Sequence, residues 1–168
     1  MSRPRSLTDA EISGHLLAAL HEQGEKALTF GVISKRCGLA QATLAQRYGT
    51  VDGMVRHALA EEWLRLSGAV EVIEAEALNS SKGTQALLKR LPLPHPQVLA
   101  LSLRDEALQP LAEAWRAQVE GAIAARRGGG ARARDSAALI FAAWQGRYLW
   151  ESAGGKGFRL SDLLKAAP

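Results

Sequence analysis

Residues 29–48 read TFGVISKRCGLAQATLAQRY, and this stretch decides the fold. Thr29 is a helix-capping residue, because its hydroxyl accepts from an amide that the first turn leaves unpaired. Val32, Ile33 and then Arg36 or Cys37 follow at helical spacing and give the segment one apolar stripe. Gly38 falls where the chain must turn, and without a Cβ it takes a positive φ at little cost. Leu39 is expected to be the buried pivot of that turn, and Cys37 a small, buried, inert thiol at its inner corner. From Ala40 to Tyr48 a second short helix places Leu44 and Tyr48 four apart on an inner face. Its outer face then carries Gln41, Thr43, Gln46 and Arg47, which suit base edges and phosphates. Two short helices joined by a glycine turn form a helix-turn-helix, which lays its second helix in the DNA major groove.

Upstream, Thr8 predicts a helix start with Glu11 as its capping-box partner. Ile12, Leu16, Ala19 and Leu20 form the buried stripe, and Gly24 stops the helix. Downstream, Thr50 caps a fourth helix from Val51 with Gly53 in its first turn; Met54, Ala58, Leu59, Trp63 and Leu66 lie along it. Residues 70–78 extend this helix or form another, and Asn79-Ser80-Ser81-Lys82-Gly83 is a break. A short helix is expected over 84–91. Pro92, Pro94 and Pro96 then stiffen a connector, since each proline biases its predecessor away from the α region. Pro96 opens a helix to about Leu108, and Pro110 opens the next, to about Arg126. RRGGGARAR at 126–134 reads as a basic loop, either solvated or phosphate-binding. A last long helix is expected over 135–153, with a short tail turn from Ser161.

The chain has 168 residues, dominated by Ala, Leu, Arg and Glu and poor in β-branched residues, which predicts an all-α fold. No apolar run approaches the ~20 residues a membrane helix needs, so no membrane association is expected. The opening MSRPRS lacks the apolar core of a secretory signal, and one cysteine excludes an internal disulfide framework. A cytoplasmic location follows as the expectation. His15, His21, His57 and His95 have no metal-ligand spacing, so no metal or cofactor is expected. No histidine–carboxylate–nucleophile set suggests catalysis, and an enzyme is not expected. Gly128-Gly129-Gly130 lacks the Gly-Lys-Ser/Thr continuation of a phosphate loop. Net charge is +4, yet residues 1–68 hold 8 Lys and Arg against 7 Asp and Glu, a balance of only +1. Arg3 and Arg5, flanking Pro4, form either a basic arm for the minor groove or a solvated terminus.

From about Leu7 to Leu66 the chain resembles the DNA-binding domain of the tetracycline-repressor (TetR) family of bacterial regulators. The opening helix ends at Leu20 and Gly24, Thr29 follows five residues later, and Ile33-Ser34 stands for the isoleucine-alanine pair. Cys37-Gly38-Leu39 matches the turn, and Ala42, Thr43 and Leu44 lead to the closing aromatic, Tyr48. The spacings match without a gap. Two positions depart from the pattern: Ala45 stands where the family has a tyrosine, and Val51 where it has a lysine. In the family both side chains contact phosphates, which supply much of a DNA binder's affinity.

The resemblance implies an all-α protein with a three-helix DNA-binding domain over residues 1–50. A short helical bundle over 51–168 would follow, for dimerisation and ligand binding. It implies double-stranded DNA as partner, with contacts from Thr29, Gln41, Ala42, Thr43, Gln46, Arg47 and Tyr48, joined by the arm Arg3 and Arg5. Gln41 and Gln46 are the expected base readers, since a side-chain amide pairs bidentately with adenine. A homodimer is implied through the helices 110–126 and 135–153, with Leu111, Trp115, Val119, Ile123, Leu139, Ala143, Gly146 and Trp150 as interface. A small-molecule effector would lie among Trp63, Leu87, Leu99, Leu103, Trp115 and Trp144, residues that equally suit simple core. Two functions stay open: a repressor released from a palindromic operator by a ligand, and a dimeric ligand-binding or protein-interaction module that has lost operator binding.

Overall fold

Side-chain caps set the first helix boundaries. The Thr8 hydroxyl accepts from the Glu11 amide at 3.2 Å, and the Glu11 carboxylate accepts from the Thr8 amide at 2.8 Å, a capping box that starts α1 (Asp9–Gln23). A single 3-10 turn at Glu25–Ala27 follows. Thr29 caps α2 (Phe30–Cys37) by accepting from the Val32 amide at 3.2 Å. Gly38 ends α2 with φ 71°, in the left-handed region, and α3 (Gln41–Tyr48) begins after Ala40. Thr50 then accepts from the Gly53 amide at 2.9 Å and starts α4 (Val51–Ala77). A Cβ on Gly53 would lie 2.4 Å from the Tyr48 carbonyl oxygen, so only glycine fits this first turn.

The computed structural model describes residues 7–77, 83–155 and 157–167. Arg3, Arg5 and the break expected from Asn79 to Lys82 lie outside the described residues. The remaining helices are α5 (Gly83–Arg90), α6 (Pro96–Ser102), α7 (Gln109–Arg126), α8 (Gly130–Glu151) and α9 (Leu160–Ala166). Among the described residues the chain is all-α and has no strand. No helix among them is long and apolar enough to cross a membrane.

Compactness divides the chain differently from the boundary at residue 50 read from the sequence. One unit comprises residues 1–64 and 95–111, the other residues 65–94 and 112–168. In the first, α1 packs on α2 and α2 on α3. Its core is Ile12, Leu16, Leu20, Ile33, Leu44, Met54 and Leu59, all essentially solvent-free. This unit also takes α6. Buried Trp63 donates its indole N–H to Ser102 Oγ at 2.8 Å, and the Ser102 hydroxyl donates in turn to the Val98 carbonyl at 2.8 Å. Each buried polar atom in that chain is therefore satisfied. His95 caps α6 by accepting the Gln97 amide through Nδ1 at 3.3 Å, with its ring stacked 3.9 Å from that of His21. Burial, and then proximity to His21, lower the His95 pKa. The helix ends at Ser102 rather than about Leu108, because Asp105 accepts from the Ala107 amide at 2.9 Å and turns the chain.

The second unit is built on α5, α7, α8 and α9, with α9 against α5 and α8. Trp115 of α7 meets Phe141 of α8 edge-on at 5.8 Å, and Phe141 meets Trp144 at 6.2 Å. Such tilted pairs match ring edge to ring face and add to the burial of the rings. Arg126 closes this unit on α4, donating to the Glu74 carbonyl at 2.9 Å. The stretch at 126–134 is not a loop of nine residues: α8 already begins at Gly130, so Arg132 and Arg134 are helical.

Candidate nucleic-acid interface

The α2–α3 pair presents a polar face. Leu44 is fully buried, whereas Gln41, Ala42, Thr43, Gln46 and Arg47 are exposed. Ser34 braces the turn, its hydroxyl donating to the Leu39 carbonyl at 2.6 Å, while Gly38 donates to the Ser34 carbonyl at 2.9 Å. Leu39 and Cys37, expected to be buried, are half-buried; the brace places them at the rim of the corner instead of beneath it. The Gln41 amide rests 3.7 Å from where a Cβ on Gly31 would sit, so it lies over the start of α2. Thr29 is exposed; its oxygen holds the Val32 amide and its own O–H remains a donor.

The end of α3 is fastened to the start of α1. Tyr48 donates its hydroxyl to Asp9 Oδ1 at 2.6 Å, and Arg47 donates to the Leu7 carbonyl at 2.9 Å and to Asp9 Oδ1 at 3.4 Å. Burial, reinforced by the Asp9 carboxylate, pushes the Tyr48 hydroxyl up to about pKa 12. Both are residues for which the resemblance implies DNA contacts. Here Tyr48 is a half-buried anchor whose ring lies 5.4 Å from that of His57. Arg47 is exposed but holds α1.

Charge on this unit is internally compensated. Over residues 1–64 and 95–111 it holds 8 Lys and Arg against 9 Asp and Glu, a balance of −1. Arg36 pairs with Glu22, and that hydrogen bond draws the Glu22 carboxyl below its usual range and raises Arg36. Arg56 pairs with Asp105 at 2.9 Å and Arg104 with Glu25 at 2.8 Å. Lys26 and Lys35 make no ion pair among the described residues. Ala45 is half-buried, and so is Val51, which lines an open groove of about 400 Å³ with Asp52, Arg56, Arg104 and Asp105. Neither position offers a phosphate contact.

The expected interface residues divide in two. Trp115, Val119 and Ile123 are fully buried inside their own unit and are core, with the Trp115 ring edge-on to Phe141. Leu139 and Trp150 are exposed by 56% and 68%, and Leu111, Ala143 and Gly146 are half-buried. The outward residues of α7 are instead Ala114, Ala117, Gly121 and Ala125, at helical spacing. These small residues form a stripe that the sequence carries beside the bulkier one of Trp115. The six pocket candidates are divided between the units. Trp63, Leu99 and Leu103 belong to the first unit, and Leu87, Trp115 and Trp144 to the second. Trp63, Leu87 and Trp115 are fully buried core, and Leu103 lies on the surface. Trp144 lines a groove of about 520 Å³ beside α5, α8 and α9. Among the described residues no cluster of His, Cys, Asp and Glu could hold a metal ion. Compared with models of protein families, with curated proteins and with solved structures, the chain matches none.

Proposed function

We propose that the chain is a homodimeric, DNA-binding transcriptional regulator of the TetR type, reading DNA with α3 and released by a small ligand. The observation that carries the proposal is the α2–Gly38–α3 unit: a buried Leu44, a braced turn and a polar outer face of Gln41, Thr43 and Gln46. A helix so presented fits the major groove, and its side chains suit base edges. One short helix reads few base pairs, so two copies reading two half-sites make the device useful. The exposed Leu139 and Trp150 of α8, with the small residues Ala114, Ala117 and Gly121 of α7, are the surface on which a second copy would pack.

The near absence of unpaired cations sets the expected salt response. Lys26 and Lys35 on each of two heads give a slope of about −4 in log K against log salt, and Arg3 and Arg5 would steepen it to about −7. A gel-shift series against genomic fragments at rising salt tests both the binding and the slope. No preferred fragment at low salt would overturn the reading. With a site in hand, Gln41→Ala should change the preference between sites, and Arg47→Ala should weaken all of them.

The balance of −1 on the reading unit, together with Ala45 and Val51, favours a second reading. In it the dimer keeps the fold and binds a ligand or protein without an operator. A dimer that shows no DNA affinity yet gains thermal stability with a metabolite supports this one.

A further inference from the structure

The second unit holds the positive charge that the first lacks. Residues 65–94 and 112–168 carry 13 Lys and Arg against 8 Asp and Glu, a balance of +5. Part of it converges on the groove beside α5, α8 and α9, which has a volume of about 520 Å³. That size lies in the ordinary range for small-ligand sites. Its floor is apolar: Leu88, Leu160 and Trp144 line it, and each is more than nine-tenths buried. Trp144 is held on edge by Phe141.

Three cations from three different segments line the same groove: Lys89 at the end of α5, Arg147 of α8 and Arg159 just ahead of α9. All three are exposed, and their side chains make no hydrogen bond or ion pair among the described residues. Glu151 is the one carboxylate among the lining residues, so the groove itself is net positive. This contrasts with the first unit, where Arg36, Arg47, Arg56 and Arg104 each have a carboxylate partner. Arg147 is also confined, since a Cβ on Gly157 would lie 3.0 Å from its Cγ; the chain entering α9 passes against its stem. The indole N–H of Trp144 and the hydroxyl of Tyr148 likewise have no partner among the described residues.

We propose that this groove binds an amphipathic organic anion, an aromatic or acyl carboxylate. Its apolar body would lie on Trp144, Leu88 and Leu160, and its carboxylate among Arg147, Arg159 and Lys89. A bare inorganic anion would leave the apolar floor uncovered. A neutral hydrocarbon would leave three like charges with no counter-ion. A carboxylate with an apolar body meets both demands, and guanidinium groups bind carboxylates bidentately. The binding rests on the groove alone; only its use as a release signal rests on the DNA-binding reading.

The full chain, titrated calorimetrically without DNA, separates these possibilities with three probes. 2-Naphthoate supplies body and charge, 2-naphthol the body alone, and acetate the charge alone. Naphthoate is expected to bind at least about tenfold more tightly than either of the others. Lys89→Gln and Arg159→Gln change exposed side chains that hold nothing in the fold, and each should weaken naphthoate by about two- to fivefold while leaving the thermal midpoint unchanged. The double variant should lose more. Naphthol binding as well as naphthoate would make the groove merely apolar, and acetate binding as well would make it a simple anion site. Undiminished binding by the double variant would place the ligand elsewhere. Any of these results, or no naphthoate binding at millimolar concentration, overturns the proposal. Because DNA is absent from the cell, none of them bears on whether α3 reads an operator.

Discussion

Replacing Tyr48 by phenylalanine removes a single hydroxyl and leaves the ring that packs near His57. The bond lost is short, 2.6 Å, and its acceptor is the Asp9 carboxylate. Hydrogen bonds to charged groups contribute about 1.5–3 kcal/mol when well shielded. Here the Asp9 side chain is 48% exposed, so about 1 kcal/mol is expected near neutral pH. The pH dependence is the sharper test. Unfolded, tyrosine ionises near pH 10; in the fold Tyr48 ionises only at about 12. A raised acid pKa means that the fold favours the protonated form. The contribution is therefore complete below about pH 10 and is lost as pH rises towards about 12. A shift of two units corresponds to about 2.7 kcal/mol at full strength, and solvent screening at a half-buried hydroxyl reduces this to about 1–1.5 kcal/mol.

Urea unfolding of the natural chain and of Tyr48→Phe, followed by circular dichroism from neutral pH to about pH 12, isolates this one group. Lysine and arginine titration and the second tyrosine, Tyr148, are common to both proteins and cancel in the difference. The advantage of the natural chain should hold steady up to about pH 10 and then vanish by about pH 12. A difference that stays constant across that range would refute the link between Tyr48 and the Asp9 carboxylate. A difference of zero near neutral pH would show that the end of α3 is not held by this bond.

Three further perturbations separate local from distant effects. Gly53→Ala forces a Cβ to within 2.4 Å of the Tyr48 carbonyl and should cost about 1–3 kcal/mol in chemical denaturation, mostly by displacing the start of α4. Trp115→Ala should cost about 3–5 kcal/mol, whereas Trp150→Ala should change unfolding of the single chain by less than about 0.5 kcal/mol and weaken self-association in sedimentation equilibrium. His95 has a lowered pKa, so its contribution is present above about pH 6.5 and is lost as pH falls; His95→Asn, which keeps a cap, should be less acid-sensitive than the natural chain in thermal unfolding.

What the sequence made legible was local. Thr8, Thr29 and Thr50 act through amides three residues away, and Gly38 acts through its own φ, so each reads correctly without knowledge of the rest. What it hid depends on partners far along the chain. Arg47 looks like a free outward residue of α3 and Tyr48 like an inner-face aromatic, and nothing near them in sequence points to Asp9, almost forty residues earlier, as the partner of both. Trp115 and Trp150 both sit on helical stripes that suit an interface, and only the packing shows that the first is buried against Phe141 and the second exposed. α8 starts five residues before Asp135, because Gly130, in a run of three glycines that reads as loop, serves as its first helical residue. α6 belongs to the same unit as α1–α3 and is joined to Trp63 by the hydrogen bond from its indole to Ser102, which no periodicity announces.

The division of charge reshapes the functional reading more than any single residue. A whole-chain charge of +4 invites a DNA binder, but it splits into −1 on the unit that carries α3 and +5 on the other. Ion pairs of the first unit join its helices, as Arg47 joins α3 to α1 and Arg104 joins the turn after α6 to Glu25. Those cations are engaged in holding the helices of this unit together. Non-specific attraction to DNA grows with phosphates neutralised, so a head of this kind should hold random sequence weakly at physiological salt. If it binds an operator, the discrimination must come from short-range contacts of Gln41, Thr43 and Gln46 with base edges, which salt screens least. The same distribution places Lys89, Arg147 and Arg159 of the second unit around one groove, so the basic character of the chain argues as much for a charged ligand as for nucleic acid.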